Sequence, residues 1–261
     1  MSTSSFEFLG VIHLLPLPAA PRGSPGFAAV RGRALADAAA LAQGGATGAF
    51  LENFGDAPFA REQVDPHVVA QMAVIAAEIR AAHPALRLGI NVLRNDARAA
   101  IGIAAAVDAA WVRVNVLAGA AVTDQGIIQG DAHHWLRYRA EIGAAHVAIA
   151  ADVHVKHARP LGGGAIGDSA ADLFNRAGAS MLIVTGNATG AAAAAEDVAA
   201  VRSAVPMAPI WLGSGVGLAS ARSWRELVDG AIVGTALHED QDLRRPLDVA
   251  RVARMAEALR G

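Results

Sequence analysis

Residues 8–18 read FLGVIHLLPLP. This segment decides between a closed barrel and an open, doubly wound sheet, the two folds that the rest of the chain allows. A short apolar run ends at His13, and Pro16 and Pro18 follow it. Because proline lacks a backbone N–H, this segment cannot open a helix directly. An open, doubly wound sheet usually carries a glycine fingerprint after its first strand, and that fingerprint is missing from residues 14–18. The segment therefore favours a closed barrel over an open sheet.

The remaining chain alternates short apolar runs with Ala-rich segments of helical period. The apolar runs rarely alternate with polar residues, which is typical of parallel strands covered on both faces. The predicted strands end near His13, Glu52, Asn91, Arg113, Asp152, Val184, Leu212 and Val233, and the predicted helices cover 28–43, 65–82, 96–108, 131–143, 168–178, 192–204, 219–227 and 247–260. We therefore predict an α/β fold, a single (β/α)8 TIM barrel over residues 6–261 after a disordered tail of residues 1–5.

Aspartates are expected to cap several of these helices, because a carboxylate accepts the free backbone N–H groups of a first turn. The predicted caps are Asp65, Asp96, Asp131 and Asp168. Pro66, directly after the first of them, suits a first helical turn.

Composition excludes several classes of function. The chain has no cysteine, so disulfides, thiol nucleophiles and cysteine-ligated zinc are excluded. Its net charge of −2 shows no basic excess, so we expect no nucleic-acid partner. No apolar run is long enough for a transmembrane segment, and residues 1–5 do not resemble a signal peptide, so we expect a cytoplasmic protein. The sequence shows no recognisable subunit interface. A homodimer and a higher oligomer are therefore both left as alternatives.

Polar residues cluster where the predicted strands end, and in a barrel these ends converge on one pocket. The predicted substrate-binding residues are His13, Asn53, Asn91, Arg113, Asn115, Asp124, Gln125 and Thr185. The alternative for individual members is that they only cap the next helix.

The fifth strand carries the predicted catalytic group. In residues 151–157, ADVHVKH, Asp152, His154 and Lys156 alternate with apolar residues and would share one face if the strand continues through them. Glu52, at the end of the second strand, joins this predicted catalytic set.

Lys156 is the only lysine in the chain. An amine can lose its proton and act as a base or Schiff-base nucleophile, which a guanidinium cannot. The alternative is a structural ion pair with Asp152 or Glu52.

Glycine turns follow the last two predicted strands, where barrels of this type often hold a phosphate. The predicted phosphate-binding residues are Gly213, Ser214, Gly215, Gly234 and Thr235, with Gly186 after the sixth strand. Backbone N–H groups of such turns can approach an anion closely. Tight turns without a ligand are the alternative.

The fourth predicted loop, residues 115–130, is long and is interpreted as a lid or a substrate-contacting loop; a loop without function is the alternative. We predict no cofactor. A divalent metal held by His13, Glu52, Asp152 and His154 is the weaker alternative, and the adjacent His133 and His134 are not expected to point the same way.

Several of these segments resemble the BtpA family, which includes SgcQ-type proteins. They are residues 10–14 (GVIHL), 52–59 (ENFGDAPF), 91–96 (NVLRND), 113–116 (RVNV), 123–126 (TDQG), 151–158 (ADVHVKHA) and 185–186 (TG). The resemblance covers about residues 8–237. It implies a ribulose-phosphate-binding type of barrel with a phosphate site, and the family's named role is photosystem I biogenesis, with peripheral membrane association.

Together these features predict an enzyme that isomerises, epimerises or cleaves a small phosphorylated sugar or sugar-derived nucleoside, with Lys156 as base or nucleophile. Asn91, Arg113 and Asn115 would orient substrate oxygens. The competing hypotheses are a non-enzymatic photosystem I assembly factor and a ligand-binding sensor barrel.

Overall fold

The computed structural model describes residues 6–186 and 193–260. Eleven strands run through these residues, namely β1 (Glu7–His13), β2 (Gly48–Glu52), β3 (Arg87–Asn91), β4 (Trp111–Val114), β5 (Ala120–Thr123), β6 (Gly126–Gln129), β7 (Ala148–Asp152), β8 (Ala158–Pro160), β9 (Met181–Val184), β10 (Ile210–Leu212) and β11 (Gly230–Val233). Eight of them form a closed parallel barrel in the order β1-β2-β3-β4-β7-β9-β10-β11, with β11 pairing back to β1. The predicted (β/α)8 barrel is confirmed. The fourth predicted strand ends at Val114, one residue later than expected, and the other seven end as predicted. The predicted tail of residues 1–5 lies outside the described residues.

One helix follows each barrel strand. The helices are α1 (Phe27–Gly44), α2 (Pro66–Ala82), α3 (Ala97–Ala106), α4 (Ala132–Glu141), α5 (Ile166–Asn175), α6 (Ala195–Ala204), α7 (Leu218–Arg225) and α8 (Val249–Arg260). None of these helices of the described chain is long and apolar enough to cross a membrane.

The aspartate caps are confirmed only in part. Asp96 accepts a hydrogen bond from the backbone N–H of Ala99 at 2.9 Å, as predicted. Asp65 and Asp131 stand at the N-cap positions of α2 and α4, but neither makes a side-chain cap hydrogen bond. The prediction for Asp168 is wrong, because α5 already starts at Ile166 and places this residue in its first turn.

Large side chains fill the barrel interior. Phe50, Trp111 and Trp211 are buried there, and the two indole rings meet edge to face with centroids 5.4 Å apart. Gly89 makes room for this packing, since a Cβ at that position would lie 2.4 Å from Phe50 Cε1. The filled interior leaves the carboxyl ends of the strands as the place for a pocket.

The long loop after β4 is partly a small sheet. Residues 120–129 form the hairpin β5–β6, and β8 pairs with β5 to complete a three-stranded antiparallel sheet. The sequence pattern did not indicate these short strands.

Candidate functional site

The carboxyl ends of the barrel strands enclose two adjoining cavities. The small cavity, about 160 Å³, lies against the turns after β10 and β11. The large cavity, about 680 Å³, is lined by the loops that follow β1, β2 and β3. The two cavities share His13, Glu52, Arg113 and Lys156, so they form one cleft. Residues from both halves of the chain therefore meet at one site.

A buried ion pair underlies the cleft. The Arg113 guanidinium donates to both oxygens of Asp152, with Nε to Oδ2 at 3.0 Å and Nη2 to Oδ1 at 2.8 Å. Asn115 Nδ2 donates to Asp152 Oδ2 at 2.9 Å. Burial of Arg113 opposes its charge, but the Asp152 carboxylate outweighs this effect and raises the guanidinium pKa. The pair therefore fixes a charged guanidinium in the wall of the cleft.

Glu52 is held from the side by Asn91, whose Nδ2 donates to Glu52 Oε2 at 2.7 Å. Within the described residues, the side-chain oxygens of Asn91 and Asn115 are buried and have no hydrogen-bond partner. Such an unpaired group costs about 1–3 kcal/mol, and stable cores contain few of them. Exceptions to the rule that buried polar atoms are hydrogen-bonded occur mostly at functional sites, so the two asparagine oxygens mark this region as a candidate site.

Lys156 lines both cavities and follows the end of β7. Its carbonyl oxygen accepts a hydrogen bond from Arg94 Nη2 at 2.8 Å, which ties this segment to the loop after β3. Burial lowers the pKa of the amine, and the Arg113 charge lowers it further against the pull of Glu52.

The alternative of a structural ion pair for Lys156 is not formed as a direct contact among the described residues, although Glu52 and Asp152 attract the amine. Asp152 is engaged by Arg113 and Asn115, and Glu52 is engaged by Asn91. In the part of the chain that the structure describes, no hydrogen bond or ion pair reaches Lys156 Nζ. The amine is therefore held in the cleft without a protein counter-ion in contact.

Two histidines, His238 fully buried and His13 half-buried, share a hydrogen bond at the other side of the cleft. His13 Nδ1, at the end of β1, lies 3.4 Å from His238 Nε2. His238 Nδ1 lies 2.7 Å from the carbonyl oxygen of Arg245. Arg33 Nη2, which only donates, lies 3.5 Å from the same nitrogen. We assign the proton of His238 to Nδ1 because the contact with the carbonyl oxygen, which only accepts, is much shorter, and Nε2 of the neutral ring is then an acceptor. His13 must then donate from Nδ1, which leaves the lone pair of its own Nε2 free.

The electrostatics keep both rings neutral. Burial lowers the pKa of His13 well below its usual value, and the neighbouring His238 lowers it further. Burial also lowers the pKa of His238. The free nitrogen of His13 lies beside the last glycine turn, since a Cβ on Gly234 would be 3.4 Å from His13 Nε2.

His238 was missed by the sequence reasoning. It is completely buried and lies four residues beyond Gly234. Its position after the eighth barrel strand was the one available signal, because no motif or period marks it.

Two glycine turns form the small end of the cleft. Gly213 has no room for a side chain, since its Cβ would lie 2.5 Å from Ile183 Cγ2. Gly215 adopts a φ of 74°, which favours glycine. Among the described residues, the backbone N–H groups of Gly215 and Thr235 donate to no partner. Helix α7 starts nearby at Leu218 and directs the positive end of its dipole to this side.

The expectation that Asp152, His154 and Lys156 share one strand face is wrong. Strand β7 ends at Asp152, and the chain then bends away from the barrel toward β8. His154 Nε2 instead lies 3.1 Å from Ser169 Oγ and lines a third cavity of about 160 Å³ beside α5, which shares Asn115 with the large cavity. His154 itself lines neither of the two cavities of the cleft.

Three other predicted residues are engaged in holding loops. Asn53 Oδ1 accepts from the Leu93 backbone N–H at 2.7 Å and so joins the loops after β2 and β3. The Thr185 hydroxyl donates to the carbonyl oxygen of His154, and the Gly186 N–H donates to Ser214 Oγ. None of the three lines either cavity of the cleft.

The predicted long loop, residues 115–130, contributes Asn115 and Asp124 to the cleft. Asp124, at the tip of the β5–β6 hairpin, lines the large cavity and lies 3.9 Å from Arg94 Nε. Gln125 Nε2 donates to Asp124 Oδ2 at 2.6 Å and does not itself line the cavity.

The predicted metal ligands do not converge. In the described chain, the only group of three metal-ligating side chains within 4.8 Å of one another is Asp131, His133 and His134, at the start of α4. The expectation that the two histidines cannot point the same way is therefore wrong. This group is exposed or half-buried and shares no lining residue with the cleft.

The fold and the cleft define a (β/α)8 barrel protein with a buried, charged pocket at the carboxyl ends of its strands. The chain belongs to the BtpA family, whose model matches residues 5–261. It is 42% identical to the photosystem I biogenesis protein BtpA of Synechocystis over 96% of this chain and 87% of that protein. This confirms the family resemblance noted in the sequence.

Solved structures confirm the barrel. Tryptophan synthase from Mycobacterium tuberculosis matches with a TM-score of 0.64 and 17% identity, covering 99% of this chain and 94% of the other. Phosphoribosyl anthranilate isomerase from Thermus thermophilus matches with a TM-score of 0.58 and 10% identity, covering 97% and 98%. At these identities the likeness concerns the fold alone.

Proposed function

We propose that this protein is an enzyme that acts on a small phosphorylated sugar, with Lys156 as the group that performs the chemistry. The observation that carries the proposal is the single lysine of the chain, which no counter-ion of the described residues contacts, in a cleft that ends in two glycine turns. A buried amine of lowered pKa is a better base and nucleophile at neutral pH than a solvated one.

The phosphate would lie in the small cavity. The N–H groups of Gly215 and Thr235 lack partners among the described residues, and glycine turns with a nearby helix start suit an anion. The cavity also lies at the last two barrel strands, where many barrels hold phosphate. One solved neighbour is named for a phosphoribosyl compound.

The sugar would then face Lys156, Arg113 and His13. Lys156 would remove a proton next to a carbonyl or form a Schiff base with it. Arg113, fixed by Asp152, would stabilise negative charge that develops on the carbonyl oxygen. His13 Nε2 would accept a substrate proton. Isomerisation, epimerisation and carbon–carbon cleavage each need such a base or amine nucleophile and a cation beside the carbonyl oxygen. Glycosidic cleavage is the alternative reaction.

A pair of glycine variants tests the phosphate end by calorimetry with D-ribose 5-phosphate. Gly215 and Gly143 both have positive φ, 74° and 71°, so an alanine strains both backbones alike. We expect Gly215→Ala to weaken binding at least tenfold and Gly143→Ala, outside the cleft, to leave it unchanged. If both variants bound D-ribose 5-phosphate with the same affinity, the proposed phosphate site would be wrong.

The chemistry is tested by incubating the protein in D2O with a set of pentose and hexose phosphates. We expect deuterium to replace hydrogen on the carbon next to the carbonyl of at least one sugar phosphate. NMR measures this exchange. Lys156→Arg should keep the charge and lose the exchange. Exchange that survives in this variant would exclude Lys156 as the acting group.

A second candidate function is a part in photosystem I biogenesis, which the name and 42% identity of the Synechocystis relative favour. Deleting the gene from its source organism and measuring photosystem I content would test it. This role requires the source to make photosystem I, and a source without it would exclude the role.

A further inference from the structure

The large cavity exceeds what a sugar needs. Its volume is about 680 Å³, against about 160 Å³ for the small cavity. The sugar would occupy the junction where the two cavities share residues. Most of the large cavity would then stay empty unless the substrate carries a second group.

The walls of the large cavity are mainly apolar. They include Leu14, Leu15, Phe54, Phe59, Leu93 and Leu243. Pockets lined in this way bind the apolar parts of small ligands and use few polar groups to orient them.

Aromatic rings lead from the shared junction into this space. Phe54 packs edge to face against His13, with ring centroids 4.9 Å apart. Phe59 continues the series, with its centroid 6.4 Å from that of Phe54. Both phenylalanines are only half-buried, so their faces remain available to a flat ring.

The charges around the cavity favour oxygen-bearing rings. Arg22, Arg94 and Arg244 line it, with the carboxylate of Asp124 at the hairpin tip. The Arg244 guanidinium already pairs with Asp242 at 2.7 Å, so Arg22 and Arg94 are the cations that favour such a ring. Arg94 is almost fully buried, and its Nη2 donates to the Lys156 carbonyl oxygen, so its remaining N–H groups would gain from a ligand acceptor. Burial also lowers the pKa of this guanidinium.

We propose that the large cavity binds an aromatic or heterocyclic ring with acceptor oxygens, attached to the sugar whose phosphate lies in the small cavity. The substrate class is thereby a ring-bearing pentose phosphate and not a free sugar phosphate. This inference rests on the proposed function for the position of the phosphate.

Calorimetry with three probes tests it, namely D-ribose 5-phosphate, uridine 5′-monophosphate and adenosine 5′-monophosphate. Stacking of one base on an aromatic side chain strengthens binding by about five- to 150-fold. We expect at least one nucleotide to bind about tenfold more tightly than ribose 5-phosphate. Phe59→Ala should abolish this advantage and leave ribose 5-phosphate binding unchanged. The control is Leu227→Ala, an exposed apolar residue outside the cleft, which should change neither affinity.

The failures of the two proposals are distinguishable. If ribose 5-phosphate binds and neither nucleotide binds more tightly, the ring site is wrong and the phosphate site stands. An advantage that persists in both Phe59→Ala and Phe59→Leu would also overturn the ring site, and Phe59→Leu keeps the packing if the alanine variant does not fold. If no probe binds, both proposals fail.

Discussion

His13 Nδ1 and His238 Nε2 lie 3.4 Å apart, and the carbonyl oxygen of Arg245 determines which of the two nitrogens carries a proton. We predict that at pH 7.5 both rings are neutral and protonated on Nδ1. Two-dimensional ¹⁵N–¹H spectra of histidine-labelled protein read the tautomer of each ring. A His13 ring protonated on Nε2 would contradict the hydrogen-bond chain and remove His13 as a proton acceptor in the cleft.

The same histidines predict how stability depends on pH. Burial lowers both folded-state pKa values below the usual 6.5, so the unfolded chain takes up protons first as the pH falls. Their stabilising contribution is therefore complete above about pH 6.5 and is lost as the pH falls from there toward the folded-state pKa values.

Denaturant unfolding between pH 7.5 and 5.5 measures this loss. Each histidine adds a slope of up to about 1.4 kcal/mol per pH unit. We expect His238→Gln to reduce the slope by up to that amount and the exposed His133→Gln to leave it as in the wild type. The buried Asp37, whose raised pKa acts with the opposite sign, contributes to the slope of all three proteins. Identical slopes in all three proteins would show that the buried rings do not titrate as described.

Lys156 gives a direct test of its own environment because the chain contains no other lysine. Lysine-selective ¹⁵N labelling yields one side-chain signal, and we expect its titration midpoint below 10.5. Lys156→Met should also leave the free energy of unfolding unchanged or raise it by about 1 kcal/mol, since it removes a buried charge without a partner. A midpoint above 10.5, together with a destabilised methionine variant, would indicate a structural ion pair.

The Arg113–Asp152 pair should behave in the opposite way. Asp152→Asn leaves the almost fully buried guanidinium without its charge partner, and we expect a loss of about 3–5 kcal/mol in unfolding free energy. The matched control is Asp172→Asn, whose partner Arg176 is 82% exposed, and we expect no measurable change there. Equal effects of the two substitutions would show that the buried pair does not hold the wall of the cleft.

The sequence allowed the barrel to be predicted because buried parallel strands produce nearly continuous apolar runs, and His13, Glu52 and Asp152 each end such a run. It allowed Lys156 and the glycine turns to be placed near one mouth, since strand ends converge in any barrel. It did not reveal His238, whose position depends on a hydrogen bond to a carbonyl group and not on side-chain periodicity.

The error at His154 has a related cause. Period-two alternation predicts a shared face only while the strand continues, and the strand ends at Asp152. The hairpin β5–β6 was missed because four-residue strands give too short a pattern to distinguish from a loop.

The most direct test of the account is a crystal structure of the protein grown with D-ribose 5-phosphate. We predict phosphate oxygens within hydrogen-bonding distance of the Gly215 and Thr235 backbone N–H groups, with the sugar carbons turned toward Lys156 Nζ. A phosphate bound elsewhere, or an empty cleft at saturating ligand, would contradict the proposal that this barrel works on phosphorylated sugars.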